Sequence, residues 1–307
     1  MKPFVTWMLA IVALSLTLPG FADEDKAKAK TATPAAKATP TMTTTTPVVD
    51  WIVGFMSRNA PPGRTTYYVE AQETKEDAEK RYRSIAEDLV EVVYNPKTKP
   101  LFGGSKGRSR TISVMLGIML YESGFGRNVD YGVGKFARGD NGNSWCLMQM
   151  NVGKGRAWKN AGGWNVKHDR PWRYGDKAED LVDGASGPEM VADRRKCFTE
   201  GLRLIRISFR SCRSYPLKER LRVYASGSCK YGAKGSRIRM SAAIKFFSNS
   251  REERESFVDA DIIKLVGVQI AKKQKAEAVA AAQKAAEAAK DKRVAQKDPE
   301  KTENQEP

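Results

Sequence analysis

Residues Ile112 to Phe125 read ISVMLGIMLYESGF. The first nine are apolar or small around the whole circumference of a helix rather than along one stripe, which predicts a largely buried helix. Glu122 is the first charged side chain after that run, placed where Ser123-Gly124 should end the helix. Two environments are open to it: a frayed, solvated helix end, or the rim of a cleft. At a buried rim, desolvation disfavours the ionised carboxylate, and a glutamic acid stays protonated near neutral pH and can give its proton to a leaving oxygen. Protonation of a glycosidic oxygen is the chemistry that cleaves a sugar chain.

Outward from this stretch, both ends of the 307-residue chain differ from a packed core. Met1-Lys2-Pro3 leads into an apolar run from Phe4 to Leu18 that is short for a membrane span, and Gly20-Phe21-Ala22 supplies small residues before a cut. Residues 1–22 are therefore expected to be a secretory signal peptide, with no stable membrane span after its removal. Residues 23–47, rich in Ala, Lys, Thr and Pro, have almost nothing to bury and read as a disordered linker. From residue 271 to 307 the chain becomes Ala, Lys, Glu and Gln, a helical or disordered tail without an apolar stripe to dock it. Residues 48–270 remain as the one folded domain, in an exported protein, periplasmic or secreted.

The formal net charge is +17, and the terminal segments hold only a small share of it, so the central domain is itself basic. Such a surface attracts polyanions without naming the polymer. Zinc-type cysteine spacing, an RNA-recognition aromatic signature and a helix-turn-helix pattern are all missing, so nucleic acid is not the expected partner. With a single histidine, His168, in a polar loop, no metal or other cofactor is expected either.

The central domain reads as mainly α, with long loops. Tyr82, Ile85, Leu89, Val92 and Val93 form an apolar face after the start signal Thr74-Lys75-Glu76-Asp77, and Asn95-Pro96 ends that helix. Gly124 to Ser144 and Asn151 to Gly184 are irregular; the second carries Trp158, Trp164, Trp172 and Tyr174, aromatics that suit sugar faces or pack under their own loops. Ser186-Gly187-Pro188-Glu189 is a capping box opening a helix to about Phe209, and Pro216 starts another ending near Gly227. Four cysteines lie in this domain, and export places them where disulfides persist. Cys197 and Cys212 would stand about 22 Å apart along one helix at 1.5 Å per residue. If the two helices pack as an antiparallel hairpin, Cys197 reaches Cys229, which leaves Cys146 with Cys212.

Three stretches in order carry a resemblance. Leu120-Tyr121-Glu122-Ser123-Gly124-Phe125, Leu147-Met148-Gln149-Met150 and Val223-Tyr224-Ala225-Ser226-Gly227 resemble the motifs of the soluble lytic transglycosylases, a lysozyme-like family related to goose-type lysozyme. The resemblance spans about residues 75–248. It implies a lysozyme-like domain that acts on peptidoglycan glycan strands, with Glu122 as the catalytic acid and base. It also implies substrate-contacting roles for Ser123, for Leu147, Met148 and Gln149 in the cleft wall, and for Tyr224 near the carboxyl. In that family the muramic acid 6-hydroxyl attacks its own anomeric carbon, so one carboxylate suffices and a 1,6-anhydro end is left. This chain departs from the pattern at Cys146, where the family has glycine, and at Ala225, where it has asparagine.

Two other readings follow from the residues. The segment between Glu122 and Gln149 contains Asp130 and Asp140, either of which could hold a water opposite the sugar and make the enzyme a hydrolytic muramidase. Ala225, Cys146 and the two tails would also suit a non-catalytic wall-binding protein.

Overall fold

The helix expected over the opening stretch is the centre of the structure. In the computed structural model, which describes residues 47–61, 73–134 and 136–297, α3 (Gly107–Glu122) buries Ile112, Met115, Leu116, Ile118 and Met119 completely. Before it come α1 (Pro47–Asn59) and α2 (Lys75–Tyr94). Proline at the first position of α1 suits a site whose N–H would have no helical partner, and the helix buries Val48, Trp51, Ile52, Phe55 and Met56. Thr74 caps α2 as its sequence predicts, its hydroxyl accepting from Asp77 N at 3.1 Å. Tyr82 Oη donates to Ala60 O at 2.7 Å and ties α2 to the end of α1.

The chain then makes α4 (Arg127–Tyr131), the hairpin β1 (Ser144–Trp145) and β2 (Met150–Asn151), and a three-stranded antiparallel sheet in the order β4-β3-β5. The strands of that sheet are β3 (Trp164–Asn165), β4 (Arg170–Pro171) and β5 (Leu181–Val182). They are followed by α5 (Gly187–Ala192), α6 (Arg194–Ser211), α7 (Arg222–Ser226), α8 (Ala233–Asn249), α9 (Arg251–Glu255) and α10 (Asp259–Lys297). The fold is mainly helical, and the described residues belong to one compact unit, Thr39–Pro307. The expected signal peptide, residues 23–46 of the expected linker and residues 298–307 of the tail lie outside the described residues. Among the described residues, no helix is long and apolar enough to cross a membrane.

α3 and α8 cross closely because Gly117 has no side chain. A Cβ there would stand 2.5 Å from the carbonyl oxygen of Arg239 and 3.1 Å from Ala243 Cβ. The other end of α3 is held by α10: the Asp259 carboxylate accepts from Arg108 N at 3.0 Å, Ser109 N at 3.3 Å and Ser109 Oγ at 2.9 Å, and from Tyr94 Oη at 2.7 Å. A carboxylate at a helix N-terminus takes up N–H groups that lack partners there and interacts favourably with the helix dipole. Past Ile270, which still packs against the core, α10 is mostly exposed as far as Ala289, and the Ala/Lys/Glu-rich segment is helical through Lys297.

The helix expected from Ser186 to Phe209 is two helices. The capping box forms, with Glu189 Oε2 accepting from Ser186 N at 2.8 Å, but Asp193 adopts extended backbone (φ −138°) and caps α6 through Arg195 N at 3.0 Å. The disulfides are two, as expected in kind, but both partner assignments were wrong. Cys146 pairs with Cys197 and Cys212 with Cys229, at Cα separations of 6.2 and 5.5 Å. The long helical hairpin does not form: α7 has five residues and returns only beside the end of α6, so Cys229 meets Cys212 there. Cys197, near the start of α6, meets the turn of the β1–β2 hairpin.

Candidate active site

Glu122 is the last residue of α3, and the turn after it is pinned. Ser123 N and Gly124 N both donate to Met119 O, at 3.0 and 3.1 Å, and Gly124 takes the left-handed φ of 55° that its missing side chain permits. Phe125 follows at φ 56° and is driven fully into the core, against Phe55 and Tyr82 at ring separations of 6.1 and 6.3 Å. Arg81 Nη1 donates to its carbonyl at 2.8 Å. Glu122 thus sits on a rigid corner, with 18% of its side chain exposed, on the wall of a cleft of about 730 Å³.

Arg239 of α8 meets it there. Nε donates to Glu122 Oε1 at 2.8 Å, and Nη2 donates to the same oxygen. The guanidinium also lies 4.1 Å from the centre of the Tyr121 ring. Among the described residues no hydrogen bond ends on Oε2, which leaves that oxygen for a ligand. The Glu122 pKa is raised: burial is the largest cause, the Asp140 carboxylate adds to it, and Arg239 opposes both.

Tyr224, on α7, lines the cleft and donates its hydroxyl to Met148 O. Burial, helped by the charge of Glu122, pushes its pKa well above the usual phenol value, so it acts as a neutral donor. Gln149 also lines the cleft, at φ 47°; its Oε1 accepts from Gly139 N at 2.8 Å and its Nε2 donates to Cys146 O at 3.0 Å. Its amide therefore braces the loop before β1 against the hairpin turn. Asp140 stands on that loop in the cleft wall, where its Oδ2 accepts from Ser144 Oγ at 2.6 Å and from Asn151 Nδ2 at 3.2 Å.

Other expected site residues lie elsewhere. Ser123 Oγ donates to Met119 O at 2.9 Å and accepts from Phe125 N at 3.3 Å, so its hydroxyl closes the corner and does not line the cleft. Leu147 and Met148 bury their side chains in the core, and a Cβ at Gly201 would stand 2.7 Å from Met148 Cε; the contribution of Met148 is the carbonyl that holds Tyr224. Asp130 is fully buried away from the cleft, gripped by Arg194 at 2.6 and 2.9 Å and facing Arg81 at 3.8 Å. It cannot hold a water in the cleft. Ala225 presents only a methyl group to the cleft, and the polar partner of Glu122 comes instead from α8.

Arg239 was the residue that sequence reasoning missed. Ser236, Arg239, Met240, Ala243 and Phe246 are buried on α8 at three- and four-residue steps. An arginine inside such a stripe is rarely buried without a charged partner, which was the available signal. Among the described residues no group of three or more His, Cys, Asp or Glu side chains could hold a metal ion. Compared with protein-family models, curated proteins and solved structures, the chain matches none.

Proposed function

We propose that this chain is an exported peptidoglycan lytic transglycosylase on a lysozyme-like fold, cleaving the β-1,4 bond between N-acetylmuramic acid and N-acetylglucosamine. The observation that carries the reading is Glu122: a carboxyl of raised pKa on a rigid helix end, lining a large cleft, with one oxygen held by Arg239 and the other unengaged among the described residues. Tyr224 and Gln149 on the same cleft wall, and two disulfides of the kind that persist in an oxidising compartment, are in keeping with it.

In this reading protonated Glu122 gives its proton to the glycosidic oxygen as the bond from that oxygen to the anomeric carbon breaks. Arg239 then stabilises the carboxylate produced. That carboxylate takes the proton of the muramic 6-hydroxyl while its oxygen bonds to the anomeric carbon, restoring Glu122 and closing the 1,6-anhydro ring without water. Asp140 favours a second reading, hydrolysis, because it shares the cleft with Glu122 and could hold a water there. Product masses from digested sacculi separate the two, since a hydrolysed end is heavier by one water than an anhydro end. Glu122→Gln is expected to abolish release. Equal release by wild type and this variant, with both binding sacculi, would leave the chain a wall-binding protein, the reading that Ala225 and Cys146 favour.

A further inference from the structure

Trp158 takes a backbone conformation that bulky side chains rarely adopt, with φ 65° and ψ −5°. Left-handed backbone at a residue other than glycine is strained and persists only where its surroundings impose it. Here they do. The Trp158 carbonyl accepts from Ala161 N at 2.9 Å and from Gly163 N at 3.0 Å, and the indole N–H donates to Glu200 Oε2. Glu200 is itself buried, with Oε1 accepting from Arg203 Nη1 at 2.9 Å. Trp164 sits against the indole at 4.9 Å between ring centres. These contacts hold Trp158 where it lines two cavities: the cleft of Glu122, and a second cavity of about 420 Å³. The two also share Asn151, Val152 and Ala157, so they adjoin.

The second cavity has its own chemistry. Asn143, Asn151 and Asn160 line it, together with Arg156, and no carboxylate does. Arg156 is engaged by Glu189 at 2.9 Å and by Gly184 O at 2.9 Å. What remains is one aromatic side chain and neutral amides, which suit the C–H face of a sugar ring and its hydroxyl and acetamido groups. Ala161 of this cavity leads to Gly162, where a Cβ would lie 3.3 Å from the Trp172 ring. Beyond Trp172 the loop is stiffened by paired Arg170–Asp176 hydrogen bonds of 2.7 Å, and it displays Tyr174, whose exposure is 98%.

We propose that the second cavity is an accessory glycan subsite for a β-1,4-linked polymer of N-acetylated amino sugars. Trp158 is the stacking wall it shares with the cleft, and Trp172 and Tyr174 continue the track outward. The proposal rests on reading the cleft as a peptidoglycan-cleaving site, and it assigns the binding to a segment outside the three motifs. The substrate is then a strand, gripped beyond the bond that is cut.

The test is calorimetric titration of the full chain carrying Glu122→Gln with β-1,4-linked N-acetylglucosamine oligomers of two to six units. Affinity is expected to rise at least tenfold between the trimer and the hexamer. Asn160→Arg, which fills the second cavity from an exposed position, should abolish the rise, and Trp172→Ala with Tyr174→Ala should reduce it; circular dichroism checks that each variant is folded. A flat ladder in the parent, or the same rise in Asn160→Arg, overturns the subsite. Release of anhydro products by wild type beside a flat ladder would remove the subsite and keep the enzyme. A rising ladder lost in Asn160→Arg, beside no release, would keep the subsite and remove the enzyme.

Discussion

Glu122 faces opposed demands, because the acid that starts the proposed reaction must become the carboxylate that finishes it. Burial and Asp140 favour the protonated form, while Arg239 favours the ionised one. The charged groups around the carboxyl are Arg239 from α8 and Asp140 from the loop before β1; Tyr224 faces it from α7. Replacing Arg239 by Gln removes the opposing influence, so the Glu122 pKa should rise further. The alkaline limb of the activity profile, where the acid form is lost, should move to higher pH, and a ¹³C titration of the Glu122 carboxyl should follow it. Turnover should fall about 10- to 100-fold, since hydrogen bonds to a charged group are worth about 1.5–3 kcal/mol. An unmoved Glu122 titration in folded Arg239→Gln would mean that Arg239 does not set its proton affinity. This pair was not legible in the sequence, because 117 positions separate the partners and no local pattern links them.

At the scale of elements, local rules named the helices well. The caps at Thr74 and Ser186 form because a hydroxyl three residues from an unpaired N–H acts within one turn. The long helix and the hairpin did not form: Asp193 adopts extended backbone and caps a new helix through Arg195 N, two residues on, and α7 is a single short helix rather than the arm of a hairpin. A tertiary contact completes the N-terminus of α3, since Lys106 at its cap position makes no side-chain bond to it and Asp259 of α10 supplies the carboxylate. Asp259→Ala leaves those N–H groups and Tyr94 Oη without this partner, at an expected cost of about 2–4 kcal/mol. Urea denaturation should show it as a lower midpoint with unchanged slope. Asp259→Asn should recover part of the loss, because an amide oxygen still accepts.

For the whole molecule, the disulfides govern how firmly the cleft wall is held. Cys146–Cys197 fastens the turn that carries Gln149 to α6, across 51 positions, while Cys212–Cys229 closes 17 behind α7. Loop-closure entropy assigns them about 4 and about 3 kcal/mol. Double serine replacement of the first pair should lower both the melting temperature and the activity, because the turn that carries Gln149 loses its covalent tether to α6; the same change in the second pair should act chiefly on stability. Peptide mapping without reduction should recover 146 linked to 197 and 212 linked to 229, and any other linkage would contradict this architecture.

The sequence alone determined the helical class, the buried helix that ends at Glu122, its capped neighbours and the disulfide-forming cysteines. Each of these depends on residues within a few positions of one another, or on composition. Only the tertiary structure decided which cysteines pair, that Asp130 belongs to a buried ion-pair network and Asp140 to the cleft, and that Arg239 holds the carboxyl. It also decided that Leu147 and Met148 face the core. Those outcomes depend on where helices cross, and Gly117 shows why: a missing side chain lets α8 approach α3 closely enough for Arg239 to reach Glu122, a consequence that no helical period predicts.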